Sequence, residues 1–234
     1  MGSFWIKTPE KYTSISNESK EVILHPFLAD ILNSNNFERI LDYGCGDGSL
    51  MKKLNYKVQI SLYDNSAKVL KIAEKNINDL NPSIYSLAKD LPLNHFDCVV
   101  LSLVLMTIDN EDEITQVLNN IYQVLIPGGT SLIAVTHPCF REYRFSTFHT
   151  SYTKDNFNYL NNGEPFSVTL QDDLNGNDIA FTDFHWSLSY TINNIIKAKL
   201  QIESIHEIKD KSFKSSYENP NFCPYMIICA RKLN

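Results

Sequence analysis

Along the chain the period of the apolar positions changes several times, and each change marks an element. From Val22 to Leu32 the spacing predicts a helix, with Phe27, Leu28, Ile31 and Leu32 on one face. Arg39-Ile40-Leu41-Asp42 reads as a short buried strand and runs into the turn Gly44-Cys45-Gly46-Asp47-Gly48. A second strand, Val58 to Tyr63, ends at Asp64. Ser66 suits the cap of the helix after it, where Val69, Leu70, Ala73 and Ile77 keep helical spacing. Phe96 to Leu103 is a continuous apolar run of the kind a central parallel strand needs. Glu111 to Leu125 is the clearest helix: Ile114, Val117, Leu118, Ile121, Val124 and Leu125 share a face, and Glu111, Asp112 and Glu113 suit its amino end. Pro127-Gly128-Gly129 stops it, and Ser131 to Thr136 predicts another buried strand.

Beyond His137 the rhythm breaks. Residues 138–185 are rich in Phe, Tyr, Asn, Thr and Asp without a sustained period. A structureless loop of that length is unusual in a compact domain, so short elements are expected within it, forming a cap insertion. Order returns with a helix near Ser187 to Ala198 and strands near Leu200 to Glu207 and Tyr225 to Ala230, a terminal antiparallel pair. Residues 1–22, polar with scattered aromatics such as Trp5 and Tyr12, read as an amino-terminal arm or lid. Strands alternating with helices imply an α/β domain whose mostly parallel, doubly wound sheet is covered on both faces.

Composition narrows the partners. The chain has 234 residues, 43% hydrophobic, enough for one well-cored domain over 1–234. Its net charge is −6 and it has no basic run, so nucleic acid is not an expected partner. Five cysteines without a C-x-x-C pair argue against a zinc ribbon or disulfide scaffold and for reduced thiols. Lys7, Glu10 and Lys11 interrupt the amino end where a signal peptide is apolar, and the apolar run Cys98 to Met106 is too short for a bilayer. A soluble cytoplasmic protein without a membrane partner is expected.

The chemistry centres on the glycine turn. A glycine turn after the first strand lets backbone approach a ligand, and the acid ending the next strand, here Asp64, can bind ribose hydroxyls. A dinucleotide would bring a pyrophosphate over this turn, next to the carboxylates of Asp42 and Asp47. One such carboxylate about 5 Å from a phosphate charge repels it by roughly 3 kcal/mol at an effective dielectric near 20. The usual dinucleotide fingerprint also has its third glycine one residue later, where this chain has Ser49. S-Adenosylmethionine carries a sulfonium and an ammonium group, which an acidic turn attracts.

The run Ile40-Leu41-Asp42-Tyr43-Gly44-Cys45-Gly46-Asp47-Gly48 resembles the first motif of class I S-adenosylmethionine-dependent methyltransferases, in their small-molecule branch. The resemblance spans roughly residues 25–137. It includes Asp64, Leu91-Pro92 with Phe96-Asp97 before the fourth strand, and Leu125 to Gly129 before the fifth. It implies a Rossmann-like seven-stranded sheet of order 3-2-1-4-5-7-6, the last strand antiparallel, with the cap after the fifth strand. It implies S-adenosyl-L-methionine as cofactor and S-adenosyl-L-homocysteine as product. Asp42, Tyr43, Gly44, Cys45 and Gly46 would bracket the methionine part, Asp64 and Asn65 the ribose, and Leu87 and Ala88 the adenine. Ser102, Leu103 and Val104 would border the cofactor near its methyl group. The family commonly has an acid where this chain has Leu87, which puts the adenine amino contact in doubt.

For catalysis, His137 lies immediately beyond the fifth strand, where open α/β sheets bind ligands, and is the candidate general base. The alternative is a histidine hydrogen-bonded to backbone to shape the loop. Tyr12, Phe140, Arg141, Tyr143, His185 and Trp186 are the candidate residues for a small-molecule acceptor, most simply one methylated on oxygen or nitrogen. No metal site is expected. Two other classes stay open: a non-catalytic S-adenosylmethionine-binding or partner-binding protein, and a dinucleotide-dependent oxidoreductase.

Overall fold

A computed structural model describes residues 20–140, 148–152, 157–170, 178–209 and 223–233. Seven strands form one sheet: β1 (Arg39–Tyr43), β2 (Gln59–Tyr63), β3 (Ser83–Tyr85), β4 (Phe96–Ser102), β5 (Leu125–Thr136), and the carboxy-terminal pair β9 (Leu200–Ile208) and β10 (Tyr225–Lys232). Their order is β3-β2-β1-β4-β5-β10-β9, with β10 antiparallel to both neighbours. That is the 3-2-1-4-5-7-6 arrangement, in which β9 is the sixth strand and β10 the seventh. The fold expectation holds.

Among the described residues, four α-helices cover the sheet: α1 (His25–Asn35), α2 (Ala67–Asn76), α3 (Glu111–Val124) and α4 (Leu188–Lys197). Each of the last three begins at a side-chain cap. Ser66 Oγ accepts from Val69 N, Asn110 Oδ1 from Glu113 N, and Ser187 Oγ from Tyr190 N. One core holds Leu28 and Leu32 of α1, Leu70 and Ala73 of α2, and Ile40, Val100 and Ile227 of the sheet. The opposite core holds Ile114, Leu118 and Ile121 of α3 with Leu41, Leu101 and Ile228. Adjacent strand positions alternate between these cores, as the two-residue period of a strand requires.

Three boundaries differ from the sequence reading. The first helix is split: Lys20–Leu24 is a π-helical turn, and α1 starts at His25 with Pro26 in its first turn, a position that lacks a required N–H donor. β5 begins at Leu125, because Phe96 pairs with Leu125 and Cys98 with Thr130, so Pro127-Gly128-Gly129 is carried as a bulge inside the strand. β3 is three residues long and only partly covered, too brief to leave a pattern.

Within 138–185 lies a second sheet of order β6-β7-β8, comprising β6 (Phe148–Tyr152), β7 (Glu164–Leu170) and β8 (Ile179–His185), all antiparallel. Phe166, Val168, Leu170, Ile179 and Phe181 from β7 and β8 belong to the same core as Cys45, Leu50 and Tyr225. The small sheet therefore shares the core beneath the glycine turn.

Candidate functional site

The turn after β1 is shaped by backbone bonds to the end of β2. Gly44 N and Cys45 N both donate to Tyr63 O, at 2.7 and 3.0 Å. Gly44 has φ +79°, and a Cβ there would lie 2.4 Å from Val104 Cγ2. Glycine is thus required twice, by conformation and by the approach of the β4 loop. Gly46 also has a positive φ, but a Cβ there would meet nothing within 4 Å. The turn is packed at Gly44 and open at Gly46, which leaves room for a ligand over the second glycine.

Acids ring this opening. Asp42 is 3% exposed, and no described residue hydrogen-bonds to its carboxyl. Burial, reinforced by the negative charges of Asp47 and Asp64, pushes its pKa up to about 7. Asp64 receives Ser66 N at 2.9 Å and Gly46 N at 3.4 Å, and burial raises its pKa against those two bonds. Burial also works against the Asp47 carboxylate, but Lys20 and the bonds from Ser49 outweigh it and hold its pKa below the usual value. Cys45 is a buried thiol whose pKa is driven well up by burial and by Asp42 and Asp64, so it fills space as a neutral group. A cationic ligand relieves this concentration of negative charge. An anionic pyrophosphate aggravates it.

The remaining expected cofactor contacts gather at the same end of the sheet. Asn65 is exposed beside Asp64; Leu87 is 49% exposed at the start of the turn Ala88–Asp90. The exposed leucine there offers an apolar surface. Ser102 ends β4, and its Oγ is buried without a hydrogen-bond partner among the described residues. Leu103 follows with φ +58°, a strained setting for a branched residue, fixed by Leu103 N donating to Ala134 O. Tyr43 differs from the rest. Its side chain faces the α3 core, 2% exposed, with its hydroxyl accepting from Asn120 Nδ2 at 3.2 Å. Only its backbone is at the turn.

His137 sits where the sequence put it, beyond β5, but both ring nitrogens have partners. Nδ1 accepts from Cys139 N at 3.2 Å, which places the proton on Nε2, 2.8 Å from Glu207 Oε1 on β9. Its backbone N donates to Pro224 O, and its ring packs on Phe140 with centroids 4.6 Å apart. The residue brackets β5, β9 and the start of the cap, the loop-shaping alternative.

Of the expected acceptor contacts, Phe140 is half-buried against His137 and the first core. His185 is fully buried, its Nε2 2.7 Å from Tyr159 O between the rings of Phe157 and Tyr159. Trp186 lies in the opposite core, its Nε1 donating to Ile108 O and its ring stacked on Tyr190. Trp186 thus lies in the opposite core from Phe140, whereas His185 meets Tyr159, whose hydroxyl is 3.6 Å from Cys139 Sγ. Tyr12, Arg141 and Tyr143 lie outside the described residues.

Two features escaped the sequence. Thr136 ends β5 with a buried Oγ1 that has no partner among the described residues. Register places it on the face of Asp42 and Ser102: Asp42 pairs with Val100, and Ser102 with Ala134, two residues before Thr136. The second feature is the turn Lys20–Leu24, which joins the glycine turn through Lys20 and Glu21. A lysine and a glutamate in a polar arm carry no signal of their own. A threonine ending a buried strand, like Ser102, could have been flagged as a polar group at the ligand end of the sheet.

Residues 41–133 match the family model described as a methyltransferase domain. A ubiquinone/menaquinone biosynthesis C-methyltransferase of Pseudomonas savastanoi is 30% identical over 118 residues, 46% of this chain and 45% of that enzyme's length. Among solved structures, the CcbJ methyltransferase of Streptomyces caelestis superposes with a TM-score of 0.69 at 16% identity, covering 100% of this chain and 99% of that one. An S-adenosylmethionine-dependent methyltransferase of Mesorhizobium loti gives 0.63 at 21% identity, over 88% of this chain and 96% of the other. The shared fold is that of class I methyltransferases. Among the described residues there is no metal-binding cluster and no helix long and apolar enough to cross a membrane.

Proposed function

We propose that this chain, an S-adenosylmethionine-dependent methyltransferase by its domain and its fold, methylates a nitrogen of a small molecule held between the ends of β4 and β5 and the cap. The cofactor supplies a methyl group already activated on a sulfonium. The protein's part is to hold that cation and align a nucleophile behind the methyl carbon. The observation that carries the cofactor assignment is the acidic opening at Gly46, with the unpartnered Asp42 carboxyl beneath it. Asp42 and the Gly44–Gly46 backbone would hold the amino-acid end, Asp64 and Asn65 the ribose, and Leu87 with Ala88 the adenine.

The acceptor would meet Ser102 Oγ and Thr136 Oγ1, buried hydroxyls on the same sheet face as Asp42. Buried polar atoms generally find a partner, and here a ligand or water would be that partner. The nitrogen reading is supported by His137. With Nδ1 accepting and Nε2 donating, it offers no free base, so an acceptor with an available lone pair suits the site better than a hydroxyl. In transfer to a neutral amine the lone pair forms the new N–C bond as the S–C bond breaks, leaving the neutral thioether and an ammonium that loses its proton to water. Carbon is the second reading, because the Pseudomonas relative is a C-methyltransferase, although that match spans less than half of either chain.

The test is transfer of labelled methyl from S-adenosylmethionine to fractionated cell extract, followed by the mass and fragmentation of the labelled product. A small N-methylated product supports the proposal. Label only in protein or nucleic acid, or on oxygen or carbon, overturns its acceptor part. Tight cofactor binding with no transfer to any fraction would instead favour a non-catalytic sensor.

A further inference from the structure

Strand β7 of the cap enters the molecule between its two cores. Gly163, just before it, has φ +76°, and a Cβ there would lie 3.4 Å from the Trp186 ring of the opposite core and 4.0 Å from Asp109 O. Phe166, further along, is buried in the first core with Cys45 of the glycine turn. Glu164 lies between these two points. The two-residue period of a strand turns its side chain to the face of Phe166 and Val168, while Pro165 is exposed. Its partner across the small sheet is His185, at the end of β8, and β8 packs against the turn Leu105–Thr107 that follows the end of β4. Leu103, at that same end, also packs against both cores. The cap thus carries Glu164 to the end of β4, on the sheet face that bears Ser102 and Thr136.

The Glu164 side chain is half-buried, and its Oε2 is shielded from solvent with no hydrogen-bond partner among the described residues. A buried acceptor oxygen left unmet costs stability, more so when it carries charge, and such groups in native folds generally serve a partner. The partner must donate a hydrogen bond, and a donor that bears or gains positive charge binds a carboxylate most strongly. An amine meets both conditions, offering N–H before methyl transfer and an ammonium after it. We infer that Glu164 receives an N–H of the acceptor, which makes that acceptor a primary or secondary amine. A neutral tertiary amine has the lone pair but no N–H to give. In the step the nitrogen lone pair forms the N–C bond and the S–C electron pair stays on sulfur. The proton of the new ammonium passes along the hydrogen bond to Oε2 and from there to water. Phe166 and Phe181, on the same inner face of the cap, suit an apolar body on that amine. This rests on the nitrogen reading above and adds the group that holds the acceptor nitrogen.

A carboxyl that only shaped the start of β7 would show itself in stability and in cofactor affinity. The experiment measures initial rates of labelled-methyl transfer from saturating S-adenosylmethionine to the small-molecule fraction of cell extract, for wild type, Glu164→Gln and Glu164→Asp. S-Adenosylhomocysteine affinity and melting temperature are measured on each protein, and the labelled product is identified by mass and fragmentation. The expected result is that Glu164→Gln lowers the rate about tenfold or more, keeps the affinity within about twofold and melts no lower than wild type. Glu164→Asp recovers part of the rate, and the product is a secondary or tertiary amine. A rate within about twofold of wild type in Glu164→Gln overturns the inference. So does a loss matched by weaker S-adenosylhomocysteine binding or a lower melting temperature, and so does a quaternary ammonium product. If wild type labels no nitrogen of a small molecule, the nitrogen reading fails and this inference with it. An N-methylated product formed at the wild-type rate by Glu164→Gln refutes the role of Glu164 alone.

Discussion

Replacing Asp42 by asparagine should make the ligand-free protein more stable above neutral pH while impairing its binding of the cofactor. In the folded chain burial and two neighbouring acids move the Asp42 pKa from 3.8 to about 7. Below pH 3.8 both folded and unfolded chains hold the proton, and the group contributes nothing. Between 3.8 and about 7 the unfolded chain has released it and the folded chain has not, so each unit of rising pH removes about 1.4 kcal/mol of stability. The accumulated loss above about pH 7 is of order 4 kcal/mol, a large fraction of the ~5–15 kcal/mol that keeps a domain folded. Asparagine keeps the shape without the ionisation. Wild type and Asp42→Asn should therefore unfold at similar denaturant concentrations near pH 5 and diverge progressively to pH 8, the variant being the more stable. Urea titrations at half-unit pH steps measure the difference directly, and subtraction removes the titration of every other group. A difference that does not grow with pH would refute the reasoning, because it would mean that Asp42 ionises freely in the folded state. The same charge is what a ligand ammonium would compensate, so saturating S-adenosylhomocysteine should stabilise wild type more at pH 8 than at pH 6, and Asp42→Asn by a pH-independent amount.

Gly44→Ala should destabilise the chain by roughly 2–4 kcal/mol and abolish S-adenosylhomocysteine binding in calorimetry, since its Cβ would enter Val104 Cγ2; Val104→Ala should restore part of the stability but not the strain of a positive φ. Asp64→Ala should weaken nucleoside binding by about 1–3 kcal/mol and lower the melting temperature, because the same carboxylate receives Gly46 N and Ser66 N. If His137 brackets the cap, Glu207→Ala should reproduce the loss of transfer seen in His137→Ala while S-adenosylhomocysteine affinity stays nearly unchanged in both; full activity in Glu207→Ala beside an inactive His137→Ala, with activity rising through pH ~6.5 in wild type, would return His137 to the role of base.

The parts of this fold that could be read from the chain are those whose cause is local. Ser66 announces its helix because a cap acts three residues away, Glu111 to Glu113 mark the amino end of α3 because acids suit that end of a helix, and Val99 to Leu101 announce a central strand because both faces of it are buried. Short elements were expected in the segment after β5, but its three strands were not located individually. Phe166, Val168 and Leu170 alternate with Ser167 and Thr169, and Ile179 and Phe181 with exposed positions, but seven-residue alternations are swamped when the surrounding segment is largely polar and aromatic. The start of β5 was not legible at all, because its bulge is set by pairing with Phe96, about thirty residues earlier in sequence.

The site divides along the same line. The turn, its acids and the end of β2 form one local βαβ unit, so the sequence placed Asp42, Gly44, Gly46 and Asp64 together, and the structure brings them together. Whatever depends on distant chain segments was hidden. His137 was correctly put at the end of β5, but its chemistry is decided by its partners: Cys139 N–H occupies the Nδ1 lone pair that a base would need free, and Nε2–H donates to Glu207, 70 residues on. Lys20 is the converse case. Nothing about a lysine in a polar arm marks it, yet the Glu21 anchor to Ser49 and Lys53 brings its charge onto the turn.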